Sequence, residues 1–221
     1  MTKSRYKFFR NIEYAEQFLA GEIYHQSLAF FRDYEDSASK GVIGDRHEAA
    51  HIFRPTQGLQ INLLKQRKSL LLPGAAFETY ANASEIMVSC MSISLSDEII
   101  ENFEATAYVE IKNVRKLISR WQAGLPSGSQ HFARKVIYYR PDELPDNVWP
   151  QPDLIATHKM ADYKYQQEFR LGFSTPGTLD FNNITAQINY SDGPIKPAPN
   201  EHKSRIVNAG NLKDICSLHK I

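Results

Sequence analysis

The chain has 221 residues with 26 basic and 25 acidic side chains, a formal charge of +1, so no global field marks a nucleic-acid or membrane partner. Only two cysteines occur, Cys90 and Cys216, which argues against a disulfide framework, and no CxxC pair marks a zinc site. The length is enough to bury a sizeable core in one domain, and neither an apolar leader nor a run near the ~18 residues of a membrane helix is present; the expectation is a soluble, cytoplasmic protein with no membrane partner.

In chain order, residues 6–9 read as a strand, Asn11 as an N-cap and Ile12–Ala20 as a helix with Tyr14, Ala15, Phe18 and Leu19 on its apolar face. Gly21 supplies the stop, and Glu22–Ser27 follows as a second strand. Residues 33–54 turn charged and irregular, with Gly41 and Gly44, and suggest a long excursion over the surface. Residues 87–95 form a strand running into Ser96 as an N-cap, with Asp97 and Glu98 in the first helical turn. Another strand spans 105–112. Asn113 then caps a helix, Val114–Ala123, that carries Val114, Leu117, Ile118 and Trp121 on one side and ends at Gly124.

Residues 133–139 read as one further strand, closed by Arg140-Pro141. A proline-rich connection over 141–152 leads through 153–160 to a strand over 163–171, which holds a carboxylate within an aromatic segment. Period two places Tyr163, Tyr165, Gln167, Phe169 and Leu171 on one face, and Lys164, Gln166, Glu168 and Arg170 on the other. That second face is either solvated or catalytic. Pro176-Gly177 and Asn182-Asn183 are turn signals that make 178–190 a hairpin. Residues 193–211 are rich in proline, lysine and asparagine, so residues 1–192 are taken as the domain and 193–221 as an extended C-terminal tail. The sum is an α+β, strand-rich single domain with a few short helices.

Two constellations carry chemistry. His47-Glu48-Ala49-Ala50-His51 matches HExxH, which on a helix would present two imidazoles to zinc with the glutamate as general base. Its context is poor: Pro55 follows His51 by four residues, the flanks are charged, and no downstream ligand lies on a second helix. Zinc hydrolysis therefore remains the alternative, an exposed charged loop is the plainer reading of the segment, and no metal ligand is assigned.

The second constellation joins Tyr6-Lys7-Phe8-Phe9-Arg10 and Glu22-Ile23-Tyr24-His25 to Ser89-Cys90-Met91-Ser92-Ile93-Ser94 and to Glu168 on the late strand. In that order these segments resemble the ADP-ribosyltransferase-like superfamily, especially its bacterial toxin and phage-defence members of the DarT type. The resemblance covers roughly residues 6–171 and implies split antiparallel sheets and NAD as substrate. It further implies Glu168 as the catalytic carboxylate, Lys7, Arg10 and Arg46 as cations answering the pyrophosphate, and Tyr24 stacking on nicotinamide. Ser92 or Ser94 would orient the ribose or amide. The chemistry suits these residue types, because cleaving the nicotinamide–ribose bond builds positive charge that a fixed carboxylate stabilises. The chain departs from the superfamily's best-known patterns where Lys7 or Arg10 replaces a first-strand histidine, and where Gln166 precedes Glu168 in place of a second acid. The second departure leaves the acceptor undefined, an amide there being compatible with a nucleic-acid base or other acceptors. A toxin would also imply a neutralising antitoxin partner. A non-enzymatic binding protein is the third reading.

Overall fold

Asn11 and Gly21 bracket the first helix. The computed structural model describes residues 3–38, 44–144, 147–190 and 201–221, with the backbone alone over 35–38. Strand β1 (Arg5–Phe9) leads to helix α1 (Ile12–Ala20), where Asn11 Oδ1 accepts from the Glu13 amide at 2.9 Å. Gly21 ends the helix at φ 106°, and a Cβ there would lie 2.1 Å from the Gly210 carbonyl oxygen, so glycine is required on both counts. Strand β2 (Glu22–Ser27) follows directly.

The segment expected as a surface excursion is mostly structured. Helix α2 (Leu28–Ala38) occupies its start, residues 39–43 with Gly41 lie outside the described residues, and β3 (Ala50–Phe53) is largely buried. Charge composition misled because two of these charges, Asp45 and Glu48, are buried, Glu48 in ion pairs with Arg170 and Lys159. Next come β4 (Leu59–Leu63), β5 (Lys68–Leu72) and β6 (Ala76–Tyr80), three strands for which the sequence reading had no assignment.

The central strand β7 (Ile86–Ser92) precedes α3 (Asp97–Phe103), capped by Ser96. Strand β8 (Ala107–Ile111) and helix α4 (Val114–Ala123), capped by Asn113, form where the sequence placed them. The single strand expected over 133–139 is broken: β9 (Gln130–Lys135) and β10 (Ile137–Tyr139) flank Val136. At that point the chain changes partner, since the Val136 amide donates to Glu168 and the Ile137 amide to Thr157.

A short helix α5 (Pro152–Ile155) and strand β11 (His158–Met160) follow. The strand expected over 163–171 is corrected in its first half. Residues Ala161–Gln166 form a 3-10 helix, Gln167 at φ 42° ends it, and β12 (Glu168–Ser174) begins at the carboxylate. Every residue of β12 is buried, so its polar side is not a solvated face. The expected 178–190 hairpin is also absent: turns lead to one strand, β13 (Thr185–Asn189), which pairs with β6. In the stretch expected as an extended tail, β14 (Ser204–Asn208) and β15 (Cys216–Lys220) join the main sheet against β2 and β8.

The result is an α+β, strand-rich domain, 38% strand and 23% helix. Its main sheet runs β14-β2-β7-β1-β8-β15, with β12 on the other edge of β7 and β9 beyond it. The ladders of this sheet are antiparallel, while β10 and β11 pair in parallel. Along one edge of β7, β2 meets Met87 and Val88 whereas β1 meets Ser92. The two strands therefore diverge over Ser89–Met91, and the sheet is split there.

Two cores flank this sheet. On one side Phe18, Leu117 and Trp121 from α1 and α4 cover Val109, Met87, Met91, Phe169 and Leu171. Trp121 Nε1 donates to His25 Nε2 at 3.0 Å while His25 Nδ1 meets the Ile23 carbonyl at 2.8 Å, which assigns a neutral imidazole with its proton on Nδ1. Burial pulls its pKa down to about 3, against the Ile23 contact. On the other side Leu28, Ile86, Val88, Phe132 and Ile155 cluster. Gly172 of β12 belongs to that side because a Cβ there would lie 2.2 Å from the Phe132 ring.

Candidate functional site

Where β1 and β2 part, a cavity of about 320 Å³ opens onto β7 and β12. Its wall is aromatic, with Tyr6 and Phe8 from β1, Tyr24 from β2 and Phe30 and Phe31 from α2. Its floor is polar: Ser92 and Cys90 alternate on β7, and opposite them in register stand Glu168 and Arg170 of β12. Period two places these four on one sheet face, away from the Phe169 and Leu171 core. Lys7 reaches into the split itself, its Nζ donating to Ser89 Oγ and to the Cys90 carbonyl, each at 3.0 Å.

Two carboxylates and two cations interlock at that floor, Glu48 and Lys159 lining the cavity with Glu168 and Arg170. Arg170 donates to Glu48 through Nη1 at 2.8 Å and Nη2 at 2.6 Å, and to Glu168 through Nε at 2.5 Å and Nη2 at 3.2 Å. Its Nη1 also reaches the Ala156 carbonyl at 2.7 Å. Lys159 Nζ lies 3.1 Å from both Glu168 Oε2 and Glu48 Oε1 and donates to Gln166 Oε1 at 2.9 Å. The Glu168 amide donates to Tyr138 Oη at 2.9 Å, and Arg32 donates to the Glu48 carbonyl through Nε and Nη2. All four charged groups are buried, so only mutual compensation makes their ionised forms tolerable.

The electrostatics follow from that geometry. Burial would raise the Glu168 pKa, but Arg170 and Lys159 outweigh it and hold the carboxylate well below its usual range. Burial likewise opposes charge on Lys159, yet Glu168 and Glu48 keep its pKa above normal. Desolvation lowers Lys7, with weaker opposing pulls from Cys90 and Glu168. The Cys90 thiol is pushed up by burial and then by Glu168, so it is not a thiolate nucleophile at neutral pH.

Asp45 sits beside this cluster. Its Oδ1 accepts from the His47 amide at 2.9 Å, and its buried Oδ2 has no hydrogen-bond partner among the described residues. Burial and then the neighbouring Glu48 charge raise its pKa to about 7. The unfolded chain releases this proton near pH ~3.9. Folding stability therefore falls as pH rises from about 4 to about 7 and levels off above, since across that window the folded state holds a proton that the unfolded state has lost. Substituting D45N removes this slope. Thermal melts should show the variant gaining on the wild type between pH 4 and pH 7, with no further gain at higher pH; a constant offset would show that Asp45 is ionised throughout.

Of the residues singled out in the sequence, Glu168, Lys7, Tyr24 and Ser92 line this one cavity. Arg10 lies elsewhere, beside a separate depression with Thr106 and Lys220, bound to Glu104 at 3.2 Å and to the Phe103 carbonyl. Arg46 is exposed, with Nε 3.1 Å from His47 Nε2, and Ser94 contributes its amide to Ser92 Oγ at 3.2 Å. Neither Arg46 nor Ser94 lines the cavity.

The HExxH helix does not form. Residues 46–49 make a turn, Ala49 sits at φ 57° and His51 lies in β3, stacked on Tyr139 with ring centroids 4.1 Å apart. The plainer reading as an exposed loop is corrected as well, because Asp45, Glu48 and His51 are buried. Among the described residues no group of three or more His, Cys, Asp or Glu side chains is placed to hold a metal.

Glu48, Lys159 and Arg170 went unrecognised as site residues. Arg170 was legible on the polar face of its strand but read as one charge among several. Glu48 was legible only through the misleading zinc motif, and nothing in the sequence joins position 48 to 170. No family model matches the chain, and no match was found among curated proteins or solved structures.

Proposed function

We propose that the cavity binds NAD and that the protein transfers ADP-ribose from it to a macromolecule, with a nucleic-acid base as acceptor. The observation that supports this most is the position of Glu168: an ionised carboxylate on a rigid central strand, facing an aromatic-walled cavity together with Tyr24, Ser92 and Lys7. The split between β1 and β2 agrees with the sheet arrangement that the sequence resemblance implies for an ADP-ribosyltransferase-like fold.

In this reading the ring of nicotinamide stacks against Tyr24 and the adjoining aromatics, and the ribose lies over Ser92 and Glu168. As the C1′–N1 bond breaks, its electron pair leaves with nicotinamide and positive charge develops on the ribose facing Glu168. The acceptor then adds its own electron pair to C1′ and releases its proton to solvent at the cavity mouth. Because Arg170 and Lys159 hold the Glu168 pKa low, its carboxylate is a weak base, and its part is electrostatic stabilisation more than proton removal. The cavity is at the lower end of the roughly 300–1,000 Å³ usual for ligands, which suits the nicotinamide-riboside half, with the pyrophosphate towards the mouth. Of Lys7, Arg10 and Arg46, Lys7 reaches this cavity and is retained as the candidate cation. The sequence resemblance, and not the cavity, is what supports a toxin or phage-defence role with an antitoxin partner as the biological setting.

A second reading rests on a specific feature: both Glu168 oxygens are engaged by Arg170 and Lys159, as in a structural ion network. The cavity would then bind a nucleotide without cleaving it. Thermal unfolding with NAD at 100 times its dissociation constant should gain about 2.7 kcal/mol, roughly 5–10 °C for a domain of this size. A Y24A variant should lose the shift. Nicotinamide release accompanies the shift if the protein is a transferase and is absent if it only binds; no shift and no release would reject NAD as the ligand.

A further inference from the structure

The hairpin β4–β5 stands apart from both cores. Its strands pair with each other and with no third strand, in a register that sets Ile61 opposite Leu70, Leu63 opposite Lys68 and Gln60 opposite Leu71. Directly opposed residues share a face. Ile61, Leu63 and Leu70 therefore lie on one face and Leu71 on the other, with Leu64 at the turn. These leucines are open to solvent: Leu64 is 87% exposed, Leu71 56%, Leu70 49% and Leu63 39%. Lys65, Arg67 and Lys68 surround the turn. From residue 49 to residue 77 the sequence holds Arg54 and these three cations but no acidic residue, a run that the near-zero net charge of the whole chain conceals.

We propose that this hairpin is an arm that docks the protein onto an anionic lipid surface, independently of the chemistry assigned to the cavity. Apolar side chains on both faces and at the tip suit an occupant that surrounds the ribbon; a protein groove covers one face, and strand addition uses an edge. The uninterrupted positive charge selects a negative surface, where basic groups stay with the headgroups while leucines enter the boundary beneath them. Residues 54–76 contain no aromatic side chain, which removes the usual means of stacking on single-stranded bases. Among the described residues no helix is long and apolar enough to cross a membrane, so the contact is peripheral.

The test is co-sedimentation of the full chain with vesicles of mixed phosphatidylglycerol and phosphatidylcholine, against pure phosphatidylcholine. The wild type should partition to the anionic vesicles, and K65Q/R67Q/K68Q should lose roughly 100-fold in partitioning, at about fivefold per charge removed. L64S/L71S should bind several-fold more weakly. Both variants should melt with the wild type, because the altered residues are exposed. The proposal is overturned if the wild type ignores anionic vesicles, if neither variant changes partitioning, or if the arm variants instead lose affinity for duplex DNA or RNA while vesicle binding is absent.

Discussion

An E168Q variant is expected to cleave NAD at least ~10²-fold more slowly than the wild type, the loss typical when one fixed electrostatic stabiliser of a transition state is removed. Glutamine keeps the shape and one acceptor oxygen but removes the charge that faces the cavity. The fall should appear in kcat more than in KM, since the charge on ribose exists in the transition state and not in bound NAD. The substitution also leaves Arg170 and Lys159 with one fewer counter-charge, so folding must be checked by melting, with rates measured well below the transition. Unchanged nicotinamide release from a folded E168Q protein would remove Glu168 from the chemistry.

The second large effect is structural. Arg170 holds Glu48 and Glu168 together through four N–H contacts, and R170M would leave two buried carboxylates with Lys159 as their remaining close cation. Breaking a buried pair by removing one partner costs about 3–5 kcal/mol, or roughly 6–20 °C in melting temperature for this size. Adding E48Q removes one of the orphaned charges, so R170M/E48Q should melt above R170M alone. That recovery separates charge imbalance from lost volume. An R170M protein melting with the wild type would mean that the network contributes nothing to stability.

Local signals in the sequence read well where the structure is local. The caps Asn11, Gly21, Ser96 and Asn113 set three helices, because each satisfies terminal amides or carbonyls using neighbours in sequence. Buried strands without alternation, such as β6 and β3, left no comparable mark. Val136 shows another limit: the break there is a change of partner strand, which a one-dimensional pattern cannot record. Gln167 could not be foreseen as the end of a 3-10 helix because period two continued through it. At the site, Glu168 was legible as a carboxylate out of place among aromatics. The rest of its network was not, since Glu48 comes from the turn before β3, Lys159 from β11 and Arg170 from β12, three segments that only the tertiary fold brings together. The same turn explains why HExxH misled: two imidazoles share a helical face only if a helix forms.

The proposed charge on ribose needs one carbon to lie beside one carboxylate. A crystal structure of the protein with a non-hydrolysable NAD analogue measures that directly. The nicotinamide ring should lie against Tyr24 and the ribose C1′ within contact distance of Glu168, between Ser92 and Lys7. An analogue bound elsewhere, with the cavity filled by side chains or solvent, would contradict it.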